Sequence, residues 1–321
     1  MKYFFIIFCA ALHFTPAQKI YQHEEKLDGQ IFLTETIAIP VENAGYTLVL
    51  PDDNETDGLI VFFNSHRDAG KVVEAPSLEF YALRNNLGIL FITTGNRLEF
   101  FFSEDSIKKV DRYIGNVVET YHVPKENLFF AGMSLSGTRA LKYAQFCAEE
   151  KSEFGIFPSA VAVCDAPLDF VRFWKETEKA KRLNFNPLTA NEGEWVTGYL
   201  EKNLGGTPKE KLKAYQNYSV YCYTADNGGN VSLLKNIPVR AYTEPDVLWW
   251  METRRKDYYA MNAVDLAAMV NELNILENEN AELIITYDKG YQPDGTRHPH
   301  SWSIVDNKDL VNWFLTFINK K

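Results

Sequence analysis

The chain has 321 residues, of which 46% are hydrophobic and 24% are charged, and its formal net charge is -10. This length is enough for one large hydrophobic core or two small ones. An acidic chain lacks the basic surface that nucleic acids and anionic membranes require, so we expect neither as a partner.

The N-terminus has the pattern of a secretory signal peptide. Lys2 is followed by an almost unbroken apolar run from Tyr3 to Phe14, and then by Thr15-Pro16-Ala17. A basic start, a short apolar stretch and a small residue at the cut are typical of such signals. The run is too short to cross a bilayer, and no later stretch of the sequence is apolar enough for a membrane helix. We therefore expect residues 1–17 to be cleaved and the protein to be secreted or periplasmic.

The first part of the mature chain alternates between strand and helix patterns. Residues 18–30 are polar and predict an irregular arm, whereas Leu59 to Phe63 is a continuous apolar run typical of a strand buried on both faces. Apolar residues from Ile107 to Tyr121 recur at helical spacing after a predicted N-cap at Ser103. Further strands are predicted over 31–39, 46–50 and 88–93, and a further helix over 77–84.

A segment rich in glycine and serine follows the next predicted strand, 128–131. It reads Gly132-Met133-Ser134-Leu135-Ser136-Gly137, and a helical pattern then runs from Thr138 to Cys147. A strand, a tight turn with a central Ser and a helix are the context of a nucleophile elbow. The small residues permit the sharp bend, which lifts the hydroxyl clear of the sheet. Ser134 is therefore a candidate nucleophile for acyl transfer.

The C-terminal half begins with a predicted strand over 160–164 and then changes in character. Residues 167–235 are rich in aromatic and charged residues and have helical stretches without strand-like runs, which predicts an inserted helical cap. Strand patterns return over 237–242 and 283–287, a long helix is predicted from Val247 to Leu273, and Asp306 is predicted to cap a closing helix. This alternation predicts an α/β protein with a mostly parallel sheet that is covered by helices on both faces.

The cysteines and histidines limit the chemistry further. Cys147, Cys164 and Cys222 remain after signal cleavage and allow at most one disulfide; we interpret the first two as core residues. Only two of the six histidines, His298 and His300, follow Ser134. Their rings point in opposite directions on an extended segment, and the flanking Pro and Trp favour His300 as the base, with His298 as the alternative. No Asp, His and Glu cluster has metal spacing, so we expect neither metal nor cofactor.

The elbow at Ser134, the segment Thr243-Glu244-Pro245-Asp246 and His300 occur in an order that resembles the α/β-hydrolase superfamily over roughly residues 31–321. The resemblance implies an eight-stranded, mostly parallel sheet with a cap inserted after the sixth strand. The core domain would comprise 18–166 and 236–321, and the cap 167–235. The resemblance also implies an acid after the seventh strand, where Asp246 matches. Asp165, after the sixth strand, is the alternative acid, and Glu244 is a weaker one.

Two positions depart from the superfamily pattern. Many members carry His-Gly after the third strand, where this chain reads Phe63-Asn64-Ser65-His66-Arg67-Asp68. We therefore expect Ser65 or His66 to supply the second oxyanion-hole amide, beside the amide of Leu135. The elbow also has Ser136 where Gly is usual, and Ser is small enough for the bend to form.

The resemblance implies a Ser-His-Asp triad in which Ser134 attacks a carbonyl carbon, His300 takes and returns the proton, and Asp246 orients the imidazole. Candidate substrate-binding residues are Arg67, Phe173, Trp195 and Trp249, although Arg67 in His66-Arg67-Asp68 is equally compatible with an internal salt bridge. Arg254 and Arg255 follow the acid on a predicted helix; arginine recognises carboxylates well, but arginine is common on helix surfaces, and we interpret both as surface residues.

We therefore expect a secreted or periplasmic serine hydrolase that cleaves a carboxylic ester through an acyl-enzyme, with a small molecule or a peptide as its substrate. A serine peptidase on the same fold is one alternative. A non-catalytic binding protein of this fold is the other, and it would be favoured if the three triad residues did not converge.

Overall fold

The computed structural model describes residues 17–33, 37–63, 73 and 75–319. In chain order, the strands that these residues form are β1 (Gln18–Glu25), β2 (Gln30–Phe32), β3 (Ala38–Pro40), β4 (Ala44–Pro51), β5 (Gly58–Phe62), β6 (Leu87–Thr93), β7 (Leu128–Met133), β8 (Ala160–Cys164), β9 (Val239–Thr243) and β10 (Ala281–Ile285). Eight of them form one sheet in the order β1-β4-β6-β5-β7-β8-β9-β10, in which β1 and β4 are antiparallel to their neighbours and the other six run parallel. This confirms the mostly parallel, eight-stranded sheet.

The central strands are buried on both faces, and this is why their sequences are continuous apolar runs. Every residue of β5 and of β8 is buried. Along β5, Leu59 and Val61 enter one hydrophobic cluster, whereas Ile60 and Phe62 enter the cluster on the opposite face. The sheet is therefore the middle layer of three.

Helices form the two outer layers. The α-helices of the described residues are α1 (Leu78–Arg84), α2 (Glu104–Thr120), α3 (Leu135–Ala148), α4 (Phe170–Leu183), α5 (Pro187–Leu204), α6 (Leu212–Tyr218), α7 (Val247–Arg254), α8 (Ala263–Ile275) and α9 (Asn307–Leu315). Apolar residues of α2, α3 and α8 belong to the first cluster, and those of α1 and α9 belong to the second, so both faces of the sheet are covered as predicted.

The segment 167–235 contains α4, α5, α6 and a 3-10 helix over Asp226–Leu234, and no strand lies within it. Its helices share a hydrophobic cluster separate from the two that sandwich the sheet, with Phe170, Leu200 and Tyr215 fully buried, and Leu33 and Phe100 from outside the segment belong to the same cluster. The aromatic side chains that mark this segment in the sequence therefore pack both on one another and on residues that precede β7.

Three local predictions differ from the structure. Residues 18–25 form the edge strand β1 along β4 rather than an irregular arm, since an edge strand with solvent on one side tolerates polar side chains. Within the predicted strand 31–39, residues 31–32 belong to β2 and residues 38–39 belong to β3, with Ile31 opposite Ile39. The predicted helix 247–273 breaks at Arg255, whose φ of 53° ends α7 in the left-handed conformation.

Candidate active site

Ser134 occupies a strained turn between β7 and α3. Its φ of 53° and ψ of -129° are rare for a residue other than glycine. The Ser134 N–H donates to the Cys164 carbonyl at 2.8 Å, and the Ser134 carbonyl accepts the Gly137 N–H at 3.0 Å. Strain of this kind persists only where surrounding contacts hold it, and it clusters at active sites. The turn thus has the geometry of a nucleophile elbow.

Small residues around Ser134 are required by close backbone approach. A Cβ at Gly132 would lie 2.3 Å from the Ser136 carbonyl oxygen, so only glycine fits there. Ser136, at the position where the superfamily usually has Gly, turns its hydroxyl back onto Met133. Its oxygen accepts the Met133 N–H at 2.8 Å and donates to the Met133 carbonyl at 2.9 Å. Ser136 therefore adds two hydrogen bonds that hold the end of β7.

Asp165 follows β8 directly and contacts His300. The distance from His300 Nδ1 to Asp165 Oδ2 is 2.5 Å, and the Thr243 hydroxyl donates to the other carboxylate oxygen at 3.1 Å. The Asp165 side chain is buried. Because a carboxylate only accepts hydrogen bonds, the neutral imidazole carries its proton on Nδ1 and leaves Nε2 free to accept one. This arrangement has the polarity of a general base with its orienting acid.

Asp246, the acid that the resemblance implied, lies away from His300. Its Oδ1 caps α7 by accepting the Trp249 N–H at 3.0 Å, and its Oδ2 pairs with Arg297. Arg297 also pairs with Glu244 at 2.7 Å. The Trp249 N–H and, after it, Arg297 hold the pKa of Asp246 below its usual value. The position that contacts the imidazole is therefore Asp165, and both seventh-strand carboxylates are held by Arg297.

The loop that carries the two histidines lies against the end of β8, which explains this pairing. The Cys164 thiol donates to the Ser301 carbonyl at 3.6 Å, and the Trp302 ring packs edge-on against Phe62, with 5.0 Å between ring centroids. These contacts place His300 over the sixth strand of the sheet rather than the seventh.

His298 flanks His300 and lines the same cavity. Its ring packs against Trp249 at 4.7 Å and lies 6.2 Å from the His300 ring, measured between centroids. Burial, followed by the charges of His300 and Arg254, lowers the pKa of His298, so the ring is neutral at neutral pH. Among the described residues its Nδ1 has no hydrogen-bond partner.

A cavity of about 170 Å³ joins the three polar residues Ser134, Asp165 and His300. It is smaller than the roughly 300–1,000 Å³ typical of drug-sized ligand sites, so it fits a short chemical group. A larger open groove, near Phe157 and Phe317, lies at the opposite end of the sheet and contains none of the three. Apolar residues of the cavity lining are Pro167, Phe173, Trp250 and Met261, and charged ones are Glu176, Glu192, Arg254 and Lys256.

The charged residues of the cavity include one close ion pair and one long ion pair. Lys256 lies 2.7 Å from Glu176, and both side chains are largely buried. Burial raises the pKa of Glu176, and Lys256 opposes the rise. Arg254 is 3.7 Å from Glu192, beyond hydrogen-bond distance, although only 15% of its side chain is exposed.

A polar network fixes the backbone of Asp165 to the helices around it. The Asn262 amide donates to the Asp165 carbonyl at 2.9 Å and accepts from Arg172 at 3.2 Å. Arg172 forms a bidentate pair with Asp265, whose carboxylate also accepts the Leu168 N–H at 2.9 Å. The position of Asp165 is therefore tied to α4 and α8.

The remaining predicted site residues do not all lie at the cavity. Leu135 is the first residue of α3, where a backbone N–H has no acceptor within the helix and is available to an oxyanion. Phe173 lines the cavity, whereas Trp195 packs against the hydrophobic cluster that contains Phe170 and Leu200, and the Trp249 ring packs edge-on against His298. Ser65, His66 and Arg67 lie outside the described residues.

Several cavity residues were not predicted from the sequence. Glu176, Lys256, Met261 and Asn262 belong to ordinary helical or loop patterns and carry no local signal. Arg254 was interpreted as a surface residue, and its burial in the cavity corrects that interpretation. Within the described residues, there is no group of three or more His, Cys, Asp or Glu side chains placed to hold a metal ion. Likewise, none of the helices that the structure describes is long and apolar enough to cross a membrane.

Neither a protein-family model nor a curated protein sequence matches this chain. Solved structures do match. An acylaminoacyl peptidase of Pyrococcus horikoshii aligns with a TM-score of 0.54 at 10% identity, over 95% of this chain and 42% of the peptidase. Esterase B of Lactobacillus rhamnosis aligns with a TM-score of 0.51 at 12% identity, over 93% of this chain and 86% of the esterase. A prolyl endopeptidase aligns with a TM-score of 0.52 at 13% identity, over 94% of this chain and 39% of that enzyme.

The chain has the α/β-hydrolase fold. It spans less than half the length of the two peptidases and most of the length of esterase B. Within this fold, β8 and β9 are the sixth and seventh strands of the main sheet in chain order, which places Asp165 and Asp246 at the two positions weighed as acids.

Proposed function

We propose that this protein is a serine hydrolase that cleaves a carboxylic ester through an acyl-enzyme, with Ser134 as nucleophile, His300 as base and Asp165 as acid. The observation that carries the proposal is the 2.5 Å contact between His300 and Asp165 at a cavity that Ser134 also lines from a strained elbow. Asp165 replaces Asp246 in the triad, since Asp246 is held by Arg297.

The proposed reaction has two halves. In acylation, His300 Nε2 takes the proton of the Ser134 hydroxyl while the oxygen attacks the ester carbonyl carbon. The Leu135 N–H stabilises the oxyanion, and such a donor lowers the barrier by roughly 3 kcal/mol. The C–O bond of the ester then breaks, and the leaving alkoxide takes the proton from His300. In deacylation, water gives a proton to His300 while its oxygen attacks the acyl carbon; the bond between the Ser134 oxygen and the acyl carbon then breaks, and His300 returns the proton to Ser134 as the carboxylic acid leaves.

Asp165 stabilises the imidazolium that forms in each half. It holds Nδ1–H, so that Nε2 faces the reacting groups in the correct tautomer. The network from Asn262 to the Asp165 carbonyl keeps the carboxylate in place without touching the reacting atoms.

An ester substrate is favoured over a peptide by the size of the cavity, which is about 170 Å³ and too small for an extended peptide. We further propose that residues 167–235 act as a cap over the acyl site, and that residues 1–17 direct the protein to the periplasm or the outside of the cell.

A fluorophosphonate probe tests the nucleophile. The wild-type protein should be labelled and should hydrolyse para-nitrophenyl butyrate, whereas Ser134→Ala should show neither activity. Ser103→Ala, at an exposed serine on α2's N-terminal end, is the control and should behave as wild type. Labelling that persisted in Ser134→Ala would show that another residue is the nucleophile.

A further inference from the structure

Arg254 is a largely buried cation whose hydrogen-bonding capacity is unused within the described residues. Its guanidinium donates no hydrogen bond to any of these residues. The carboxylate with which it forms an ion pair, that of Glu192, is 3.7 Å away, and the Glu192 side chain is 40% exposed. A guanidinium offers five donors in a planar fork, and burying it without partners costs free energy. Neighbouring Arg255 is different: it is exposed and its guanidinium lies over the Phe185 ring at 4.9 Å.

The buried position of Arg254 faces the proposed active site. Arg254 lines the cavity together with Ser134 and His300, and its charge contributes to the lowered pKa of His298. Lys256, which also lines the cavity, is already neutralised by Glu176 at 2.7 Å. Among the described residues, Arg254 is therefore the cation of this cavity without a hydrogen-bonded carboxylate, and it can bind an anionic group at short range.

We propose that Arg254 binds a carboxylate on the acyl part of the substrate, so that the preferred substrates are esters of short dicarboxylic acids. This inference rests on the proposed function. The planar guanidinium matches a carboxylate in a bidentate geometry. The small volume suits a short acyl chain that stays bonded to Ser134, and the walls of Phe173, Trp250 and Met261 suit its methylene groups.

The selectivity must come from contact and not from long-range attraction. The chain has a formal net charge of -10, which repels an anionic substrate at a distance. Glu192 competes for the same guanidinium, but its contact with Arg254 is long and its side chain can swing into solvent. An incoming carboxylate therefore replaces a weak contact with a stronger one.

The test compares two esters with the same chain length, the para-nitrophenyl hemiester of glutaric acid and para-nitrophenyl pentanoate, each corrected for its uncatalysed rate. Wild type should prefer the hemiester by about tenfold in kcat/KM. Arg254→Gln should remove this preference, so that its ratio of kcat/KM between the two esters falls to about one, and Arg254→Lys should keep part of it, because a lysine retains the charge without the fork. The matched control Arg255→Gln should retain the wild-type ratio.

Binding of glutarate separates this inference from the proposed function. Calorimetry should detect glutarate on wild type and Arg255→Gln, and binding about tenfold weaker on Arg254→Gln. If Ser134 is labelled and the esters are cleaved but neither ratio nor binding depends on Arg254, the substrate class is wrong and the hydrolase assignment stands. If Ser134 is not labelled and neither ester is cleaved, both the hydrolase assignment and the substrate class are overturned.

Discussion

Asp165 and Asp246 follow the adjacent parallel strands β8 and β9, yet their carboxylates contact different basic side chains. Asp165 contacts His300, whereas Asp246 pairs with Arg297, and one loop supplies both basic residues. An imidazole can gain and lose a proton near neutral pH, but a guanidinium stays charged. The first pair can therefore take part in proton transfer, and the second can only fix the loop. The basic residue that the loop supplies, rather than the strand position, therefore decides which carboxylate can serve as the acid.

The largest expected effect separates the two carboxylates directly. Asp165→Asn should lower kcat on para-nitrophenyl butyrate by about 10⁴-fold, because the imidazole loses the group that sets its tautomer. Asp246→Asn removes a helix cap and an ion pair but no proton-transfer group, so its kcat should stay close to wild type. Steady-state kinetics with the melting temperature of each variant would check this. A larger kcat loss in Asp246→Asn than in Asp165→Asn would return the acid to the seventh strand.

The ion pairs of Arg297 should contribute to the stability of the fold rather than to catalysis. Arg297→Gln leaves the buried Glu244 carboxylate without its cation, although Glu244 keeps hydrogen bonds from Thr286 and Lys289. We expect the free energy of unfolding to fall by about 2–3 kcal/mol, measured by urea denaturation.

The double variant Glu244→Gln/Arg297→Gln should recover part of that loss, since it leaves no buried charge behind. Additive losses in the double variant would show that the two side chains are not coupled. A kcat loss in folded Arg297→Gln as large as that of Asp165→Asn would show that the two pairs do not act separately.

The smallest expected effect is the pH dependence of Asp246. The Trp249 N–H and then Arg297 lower its folded pKa below the unfolded value. The carboxylate is thus stabilising above the unfolded pKa, and this contribution is lost as the pH falls through the folded pKa. Since the side chain is partly exposed, we expect less than about 1 kcal/mol. Melting temperatures of wild type and Asp246→Asn should differ at neutral pH and converge in acid. A gap that widened in acid would contradict the assigned sign.

Elements with strong periodic patterns could be predicted from the sequence. The apolar run at β5, the helical spacing in α2 and the small residues around Ser134 each follow from burial or sterics within a few residues. The edge strand β1 could not be predicted in this way, because its residues pair with residues of β4 that lie 19 to 33 positions further along the chain. The break at Arg255 was missed since helical spacing continues on both sides of it.

The candidate site could likewise be predicted from the sequence only in part. The order of Ser134 and the late histidines is visible in the sequence, but the choice between Asp165 and Asp246 depends on the path of the loop from β10 to His300. That path is set by tertiary contacts such as Cys164 with Ser301. Likewise, Arg254 and Arg255 are adjacent and of the same type, and only the end of α7 in the structure decides which of them is buried.

The network around Asp265 has a consequence for how residues 167–235 can move. Asp265 accepts the N–H groups of Leu168 and Asp169, and Asp169 in turn accepts the Tyr223 N–H at 2.9 Å. The start of α4 is therefore anchored to α8 and to the chain at Tyr223. A movement that displaced the start of α4 would have to break these hydrogen bonds, and Asn262 ties the backbone of Asp165 to the same network. Substrate access that leaves these bonds intact would therefore not displace the carboxylate that contacts His300.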